Sequence, residues 1–508
     1  MAATPSQHAT DSPAPVPRSS RSIRSAAATV AGKAAQQLSR RLGVGGGTQL
    51  PGIVARRVAP AVLAELSAAL PDGVVLVAGT NGKTTTARMV AAILERHGRR
   101  VLHNRAGANL ITGLTATAVA GADIFGRARA DVAVFETDEA HLPAAVAETR
   151  PRIVLLLNLF RDQLDRYGEV DTIAARWRAA LATLPPSSTV LLNADDPAVA
   201  YLGQGELHCQ VRYWGLDDAR HGVGGVQHMA DSQFCRRCGA PYDYSAVFYG
   251  HIGHYSCPRC GLRRPEPEVR LARLTPDGVA GSDLVIGAGA GAFEIRLPLP
   301  GIYNAVNALA AATVSLSVGV PPATVRDALE GFAAAFGRIE RIPIAGHDVL
   351  MTLIKNPVGA SETVRMITDN SRRSKVEGQR SEGAHFGTLD LGPWTFDPLH
   401  LLILINDKTA DGTDVSWLWD ADFERLAGHV GSVVVGGTRA DDMAVRLKYA
   451  GVDPALIALE PQLSRALDTL LERSPAGAPL YLLPTYTAML ELRAELARRG
   501  LVKPFWED

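Results

Sequence analysis

The run VVLVAGTNGKTTTARMVAAIL, Val74 to Leu94, limits the possible folds more than any other stretch of the chain. Its first five residues are apolar without alternation, which reads as a strand covered on both faces, as in a parallel sheet. A glycine-containing turn follows, and from about residue 84 the apolar residues recur at helical spacing. A strand that passes into a helix in this way leads to a crossover and a parallel neighbour. The same rhythm continues, with strands expected at 74–78, 131–135, 152–157 and 189–192 and helices at 84–97 and 171–183. After an interruption, FEIRLPLPG reads as β-like, and helices are expected through NAVNALAAATVSLSVG and at 322–335. The last third repeats the pattern, with strands at 349–354, 400–405 and 431–435, helices from about 359, at 420–428 and at 440–450, and a closing strand–helix at 479–499. The 508 residues are too many for one core, so the expected class is α/β with two doubly wound units.

The pattern also sets boundaries. Residues 1–50 read as a disordered and partly helical extension, with a short helix through AAQQLSRRL and a flexible GVGGG after it. Residues 51–342 form the central unit, interrupted at about 205–270 by a small module rich in cysteines and aromatics, and residues 343–508 form the second unit. The polar stretch DNSRRSKVEGQRSEGAHFGTLDLGPWTFD reads as a long surface excursion. With 52 basic and 52 acidic residues, nothing argues for nucleic-acid binding or for electrostatic membrane attachment. No apolar run reaches the roughly 18 residues of a membrane span. Lys33 interrupts the only N-terminal stretch resembling a signal peptide. The cytoplasm is the expected compartment.

The turn itself carries chemistry. Backbone N–H groups and the positive end of the following helix converge on one spot, which suits a phosphate. Gly79, Thr80, Asn81, Gly82, Lys83, Thr84 and Thr85 form this loop, with Gly79 and Gly82 allowing close approach of the backbone. Lys83 supplies a charge for the β- and γ-phosphates, and Thr84 a hydroxyl for magnesium. Val77 stands where the strict triphosphate-loop pattern has glycine. ATP or GTP is the expected ligand.

Four of the five cysteines form the pairs CRRC and CPRC: Cys235, Cys238, Cys257 and Cys260. Two Cys-x-x-Cys turns separated by 18 residues match a four-thiolate zinc ribbon, a closed and therefore structural site. Cys209 reads as a small buried hydrophobe, and His251 and His254, surplus to such a site, as surface residues.

GTNGKTT resembles the ATP loop of the Mur ligase and folylpolyglutamate synthase superfamily. VFETDEA (134–140), NLFRDQLDRYGEVDTI (158–173), LNADDP (192–197), PGIYNAVNALAA (300–311) and FGRIERI (336–342) resemble its further motifs in the same order. The resemblance implies an ATP-binding central domain that activates a carboxylate by phosphorylation, after which an amine displaces the phosphate. It implies that Glu136 binds magnesium, that Asn304 and Asn307 lie near the adenine, and that Arg338 contacts the nucleotide. Lys83 and Glu136 then rank as catalytic residues.

Three departures separate this chain from the amino-acid-adding members. Arg176 stands where they carry a carbamoylated lysine, and a guanidinium does not form that carbamate. Gln163 replaces the histidine two residues before Asp165. Only about 25 globular residues precede Val74, so a domain for a UDP-sugar is not expected. The second unit opens with TLIKNPVGASE, keeping only Asn356-Pro357 of the usual motif, and continues with LLILINDKTADGTDVSWLWDADFE (401–424).

The cysteine module and ADGTDVSWLWD together resemble the MurT family, the ligase-like subunits of lipid II isoglutaminyl synthases. That resemblance implies amidation of the D-glutamate α-carboxylate in the lipid II stem peptide, at the inner face of the membrane. It also implies ammonia from a GatD-like class I glutamine amidotransferase partner, with ATP and magnesium as cofactors and zinc as a structural ion. One aspartate among Asp411, Asp414 and Asp420 is then expected to orient the partner's Cys–His pair, Asp411 coming first because it follows the strand end in a tight turn. An amino-acid-adding ligase and a non-catalytic nucleotide-binding regulator are the alternatives.

Overall fold

The computed structural model describes residues 23–42, 49–104, 108–160, 170–222, 232–332, 339–381 and 397–502. Among these residues the first sheet contains β1 (Val74–Ala78), β2 (Val101–His103), β3 (Val132–Glu136), β4 (Ile153–Leu156), β5 (Thr189–Asn193) and β6 (Gln210–Leu216). The hairpin β7 (Asp243–Tyr249) and β8 (Ile252–Ser256) stands apart, and β9 (Val269–Asp277), β10 (Gly281–Ala288) and β11 (Gly291–Leu297) complete the first sheet. Its order is β11-β10-β9-β6-β5-β4-β1-β3-β2, parallel from β2 through β9 and antiparallel at the β9–β11 edge.

β1 lies between β3 and β4 and is buried along its whole length. Val75 and Val77 pack with helices Lys83–Arg96 and Ile302–Ser317 on one face; Val74, Leu76 and Ala78 pack with helices from residues 50–68 and 111–120 on the other. Covering both faces explains the uninterrupted apolar run, each such side chain contributing about 1.5–3 kcal/mol relative to exposure.

The N-terminal helix begins earlier than the sequence suggests, spanning Ile23–Leu42 and packing on helices Leu50–Val58 and Ile111–Ala120. Ala28 and Thr29 are fully buried. Alanine-rich faces bury through close backbone approach and leave little periodic signal of large apolar residues, which is why only its last half was legible. The cysteine module also has a later start. Gln210–Leu216 belongs to the main sheet, and β6 pairs with β9 at Trp214–Val269, so the module leaves the sheet after Leu216 and returns at Val269.

The second sheet has the order β12-β13-β17-β14-β15-β16, with β12 (Ile339–Ile344), β13 (His347–Thr352), β14 (Leu399–Leu404), β15 (Val430–Gly436), β16 (Ile457–Leu459) and β17 (Leu480–Pro484). Only the β12–β13 pair is antiparallel, and the second sheet thus begins at Ile339. Helix Pro357–Ser381 runs well into the stretch expected to be a surface excursion. Arg, Lys, Glu and Gln are good helix formers, and polarity alone does not mark a loop. The helix expected at 420–428 is replaced by two 3₁₀ turns, Ser416–Trp419 and Phe423–Leu426. The buried Arg446 holds this segment by donating to Leu418 O and Ala421 O, both at 2.8 Å. No helix among the described residues is long and apolar enough to cross a membrane.

Candidate active site

The loop after β1 sits at the carboxyl edge of the first sheet, where ligands bind in parallel α/β folds. Gly82 caps helix Lys83–Arg96 in a left-handed conformation (φ 86°), and a Cβ there would lie 2.2 Å from Asn307 Oδ1. At Gly79 a Cβ would lie 2.8 Å from Leu157 Cβ. Both positions are therefore closed to larger residues. Asn158, at the end of β4, clamps the loop: its Oδ1 accepts from Asn81 N at 2.8 Å and its Nδ2 donates to Asn81 O at 3.1 Å. Thr80 is tied to Phe160 through its hydroxyl, which donates to Phe160 O at 3.1 Å and accepts from Phe160 N at 3.0 Å.

Lys83 is buried, and its Nζ donates to Thr80 O at 3.1 Å and to both oxygens of Glu139 at 3.1 and 3.2 Å. Glu139 was not singled out from the sequence, although it lies in ETDEA beside Glu136. Register places Glu136 next to Val77, and a reciprocal pair with Asn104 fixes its backbone at 2.9 and 2.8 Å. Its Oε2 is buried without a hydrogen-bond partner among the described residues. An acceptor-only carboxylate oxygen in that state fits a cation. Glu136 and the Thr84 hydroxyl would hold magnesium, which when bound neutralises phosphate charge.

A cavity opens in front of this loop. Its wall includes Asn81, Gly82 and Thr85 of the loop, Asn304 and Asn307 of helix Ile302–Ser317, and Lys355, Asn356 and Glu362 of the second unit. Asn304 Nδ2 donates to Pro300 O at 2.7 Å, and Asn307 Oδ1 accepts from Thr86 Oγ1 at 3.3 Å. Asn307 thus holds the first turn of the helix that follows the loop. Asn356 Nδ2 donates to Asn81 Oδ1 at 2.9 Å, so the Asn-Pro of KNPVGASE joins the second unit to the loop. Arg338, Gln163 and Asp165 lie outside the described residues. Arg176 is exposed on helix Val170–Leu181.

The cysteine module reaches this cavity with its far end. Cys235, Cys238, Cys257 and Cys260 bring their sulfurs within 4.8 Å of one another, with Cys235–Cys260 and Cys238–Cys257 at 3.5 Å. Four ligands about 2.3 Å from a tetrahedral ion lie about 3.8 Å apart, so the donor set fits zinc. The tip of the β7–β8 hairpin wedges between the two units. Tyr249 lines the cavity, while Arg365 of helix Pro357–Ser381 donates to Phe248 O at 2.8 Å. His251 and His254 are not the surface residues expected. His251 is fully buried, 4.5 Å from the Phe160 ring and with Nε2 3.2 Å from Asp196 Oδ2. His254 is half-buried, with Nε2 2.7 Å from Leu216 O. Folding the hairpin back onto LNADDP buries both, a long-range contact that local polarity does not reveal. Cys209 is buried, as expected.

The segment after β14 differs in character. Asp411 is buried and turned inward, its Oδ1 accepting from Thr487 N at 2.7 Å and its Oδ2 from the Thr487 hydroxyl, at the start of helix Tyr486–Arg498. Asp414 and Asp420 are exposed. The N–H of Ser416, 2.8 Å from Asp414 Oδ1, lowers the pKa of that carboxyl below its usual value.

Comparison with known proteins places these features in a family. Residues 77–234 match the Mur ligase middle domain and residues 387–489 the MurT ligase C-terminal domain. The MurT subunit of the Streptococcus pneumoniae lipid II isoglutaminyl synthase (glutamine-hydrolyzing) is 32% identical over 475 residues, covering 93% of this chain and 97% of that protein. The chain belongs to the MurT family. The Staphylococcus aureus MurT subunit is 29% identical over 467 residues, 92% of this chain and 96% of its own length. Among solved structures, MurF from Acinetobacter baumannii superposes with a TM-score of 0.60 at 17% identity, covering 87% of this chain and 81% of that one. At that identity the likeness concerns the fold, and the two α/β units of this MurT-family chain share the Mur ligase architecture.

Proposed function

We propose that the chain is the ATP-dependent ligase subunit that amidates the D-glutamate α-carboxylate of the lipid II stem peptide, in a peptidoglycan precursor met at the cytoplasmic face of the membrane. The full-length similarity to MurT subunits named for lipid II isoglutaminyl synthesis carries this reading. The γ-phosphate of ATP passes to the carboxylate to give an acyl phosphate. Ammonia then forms the C–N bond as phosphate departs with the C–O bonding pair. Lys83 and the backbone amides of residues 79–85 hold the triphosphate and offset its charge. Glu139 keeps the Lys83 ammonium in place, and Glu136 and Thr84 hold magnesium. Asn304 and Asn307 shape the nucleotide side of the cavity, to which Arg338 also belongs in this reading. The four cysteines hold a structural zinc.

Ammonia comes from a GatD-like glutaminase partner, docked on the segment after β14. Asp414 is the better candidate to complete the partner's Cys–His pair: it is exposed and ionised, whereas Asp411 is engaged with Thr487. The test is incubation with ATP, magnesium, ammonium and lipid II, read by mass spectrometry. Conversion of the carboxyl to a carboxamide is expected. A product heavier by an amino-acid residue, or no product even with a glutaminase partner, would overturn the reading.

A further inference from the structure

The Asn-Pro motif of the second unit leads into helix Pro357–Ser381, and one turn along that helix stands Glu362. It is buried, at 6% exposure, yet it lines the same cavity as Asn81, Gly82 and Thr85 of the phosphate loop. Among the described residues that line this cavity it is the one carboxylate, and Lys355 is the one formal cation. Its nearest ionic neighbour, Arg365 on the same helix, holds Nη1 at 3.7 Å. That guanidinium is already committed elsewhere, donating to Phe248 O at 2.8 Å and His221 O at 3.3 Å of the cysteine module. Arg425 of the 3₁₀ turn Phe423–Leu426 and Asp369 of the same helix act on Glu362 from further away. Tyr249 of the hairpin lines the same cavity and is close enough to interact electrostatically with it. Burial outweighs the two arginines and raises the Glu362 pKa to about 7.

We infer that Glu362 is the base that removes a proton from the attacking ammonia. The inference rests on the ligase reading above. When ammonia attacks the acyl phosphate, its lone pair forms the C–N bond and the nitrogen carries one proton too many. Until that proton leaves, the adduct can return to reactants by expelling ammonia. Glu362 takes the proton and becomes a neutral acid, the C–O bonding pair leaves with phosphate, and the products are the carboxamide and inorganic phosphate. A base that titrates near the working pH is the efficient choice for such a transfer. An ordinary surface glutamate, titrating more than two units lower, would be a weaker one.

The test uses the full chain with ammonium as nitrogen source, with rates expressed per unprotonated ammonia. The wild type is expected to show an acid limb near pH 7. In Glu362→Gln, kcat should fall about a hundredfold, with KM for ATP unchanged and the acid limb gone. Glu362→Asp should retain a limb and recover part of the rate. A Gln variant within threefold of wild type, one whose limb persists, or one in which KM for ATP rises in step with the loss of kcat would overturn the inference. Should the Gln variant fail to fold, an Asp variant lacking the limb would do the same. If the wild type makes no carboxamide at all, the ligase reading fails instead, so the two failures are distinct.

Discussion

The carboxyl edges of the two sheets differ in how many of their charges meet solvent, Asp411 being buried at the second as Lys83 is at the first. At the first sheet, Lys83, Glu136 and Glu139 are all buried, with Lys83 and Glu139 paired inside the chain. At β14 of the second sheet, Asp414 and Asp420 face outward, and Trp419 beside them is 53% exposed. In our reading the first edge is a site complete within one chain, and the second is half of a site, presenting a carboxylate and an aromatic surface for another subunit to cover. Desolvated charges demand partners from the same chain, whereas solvated charges leave room for an intermolecular one.

The largest expected effect tests the completeness of the first edge. Lys83→Ala should lower amidation by roughly a thousandfold or more with either ammonia or glutamine, because the phosphate charge is no longer offset and Glu139 is left buried without its counter-charge. Product formation by mass spectrometry with each nitrogen source is the measurement. Equal activity would mean that the first edge is not the phosphate site.

Next in size, Asp414→Asn should lower the glutamine-driven reaction by about a hundredfold and leave the ammonia-driven rate within about twofold. Assaying both nitrogen sources with a glutaminase partner decides this. Loss of both in equal measure would make the second edge part of the ligase site rather than half of a shared one.

Two smaller effects concern stability. Glu362 has a folded pKa of about 7 against an ordinary 4.5, so between those values the folded chain holds its proton more tightly than the unfolded chain. Stability therefore falls as pH rises through that window, and the penalty is fully present above pH 7. Glu362→Gln should accordingly stabilise the protein by up to about 3 kcal/mol at pH 8 and by much less below pH 4.5, read from denaturant midpoints at each pH. A group buried for catalysis gives this combination of greater stability and slower turnover, which a purely structural ion pair would not. Asp411→Ala should cost about 1–3 kcal/mol, since Thr487 N at the start of the last helix loses its acceptor. A Tm unchanged from wild type would show that Asp411 is free for a role outside the chain.

Strands such as β1, β4, β14 and β17 were legible because parallel strands covered on both faces are continuous apolar runs, as at VVLVA and LLILI, whereas β2, β6, β9, β10, β12 and β16 were not expected from the sequence. The glycine loop after β1 and the two converging Cys-x-x-Cys turns were legible because each pattern lies within residues close together in sequence. The rest of the site was not. Asn158 opens the stretch NLFRDQLDRYGEVDTI, but nothing local shows that its amide grips Asn81 from 77 residues away. His251 looked like a surface residue until its hairpin folded back against Asp196 and Phe160. The order among the aspartates also depended on distance in sequence: Thr487, which engages Asp411, lies 76 residues further on.

By itself, then, the sequence determined the α/β class, the glycine turn between the first strand and its helix, the set of four converging cysteines and, through ordered motifs, the family. The first three rest on periodicity or spacing within a short window, and the family on the resemblance of motifs spread along the chain. Only the tertiary structure decided that Glu362 is a buried carboxyl lining the same cavity as Asn81, Gly82 and Thr85, that the cysteine module's hairpin walls that cavity, and that Asp414 rather than Asp411 meets solvent. Burial and pairing sum contributions from segments far apart in the chain, and a side chain's charge state and direction follow from that sum.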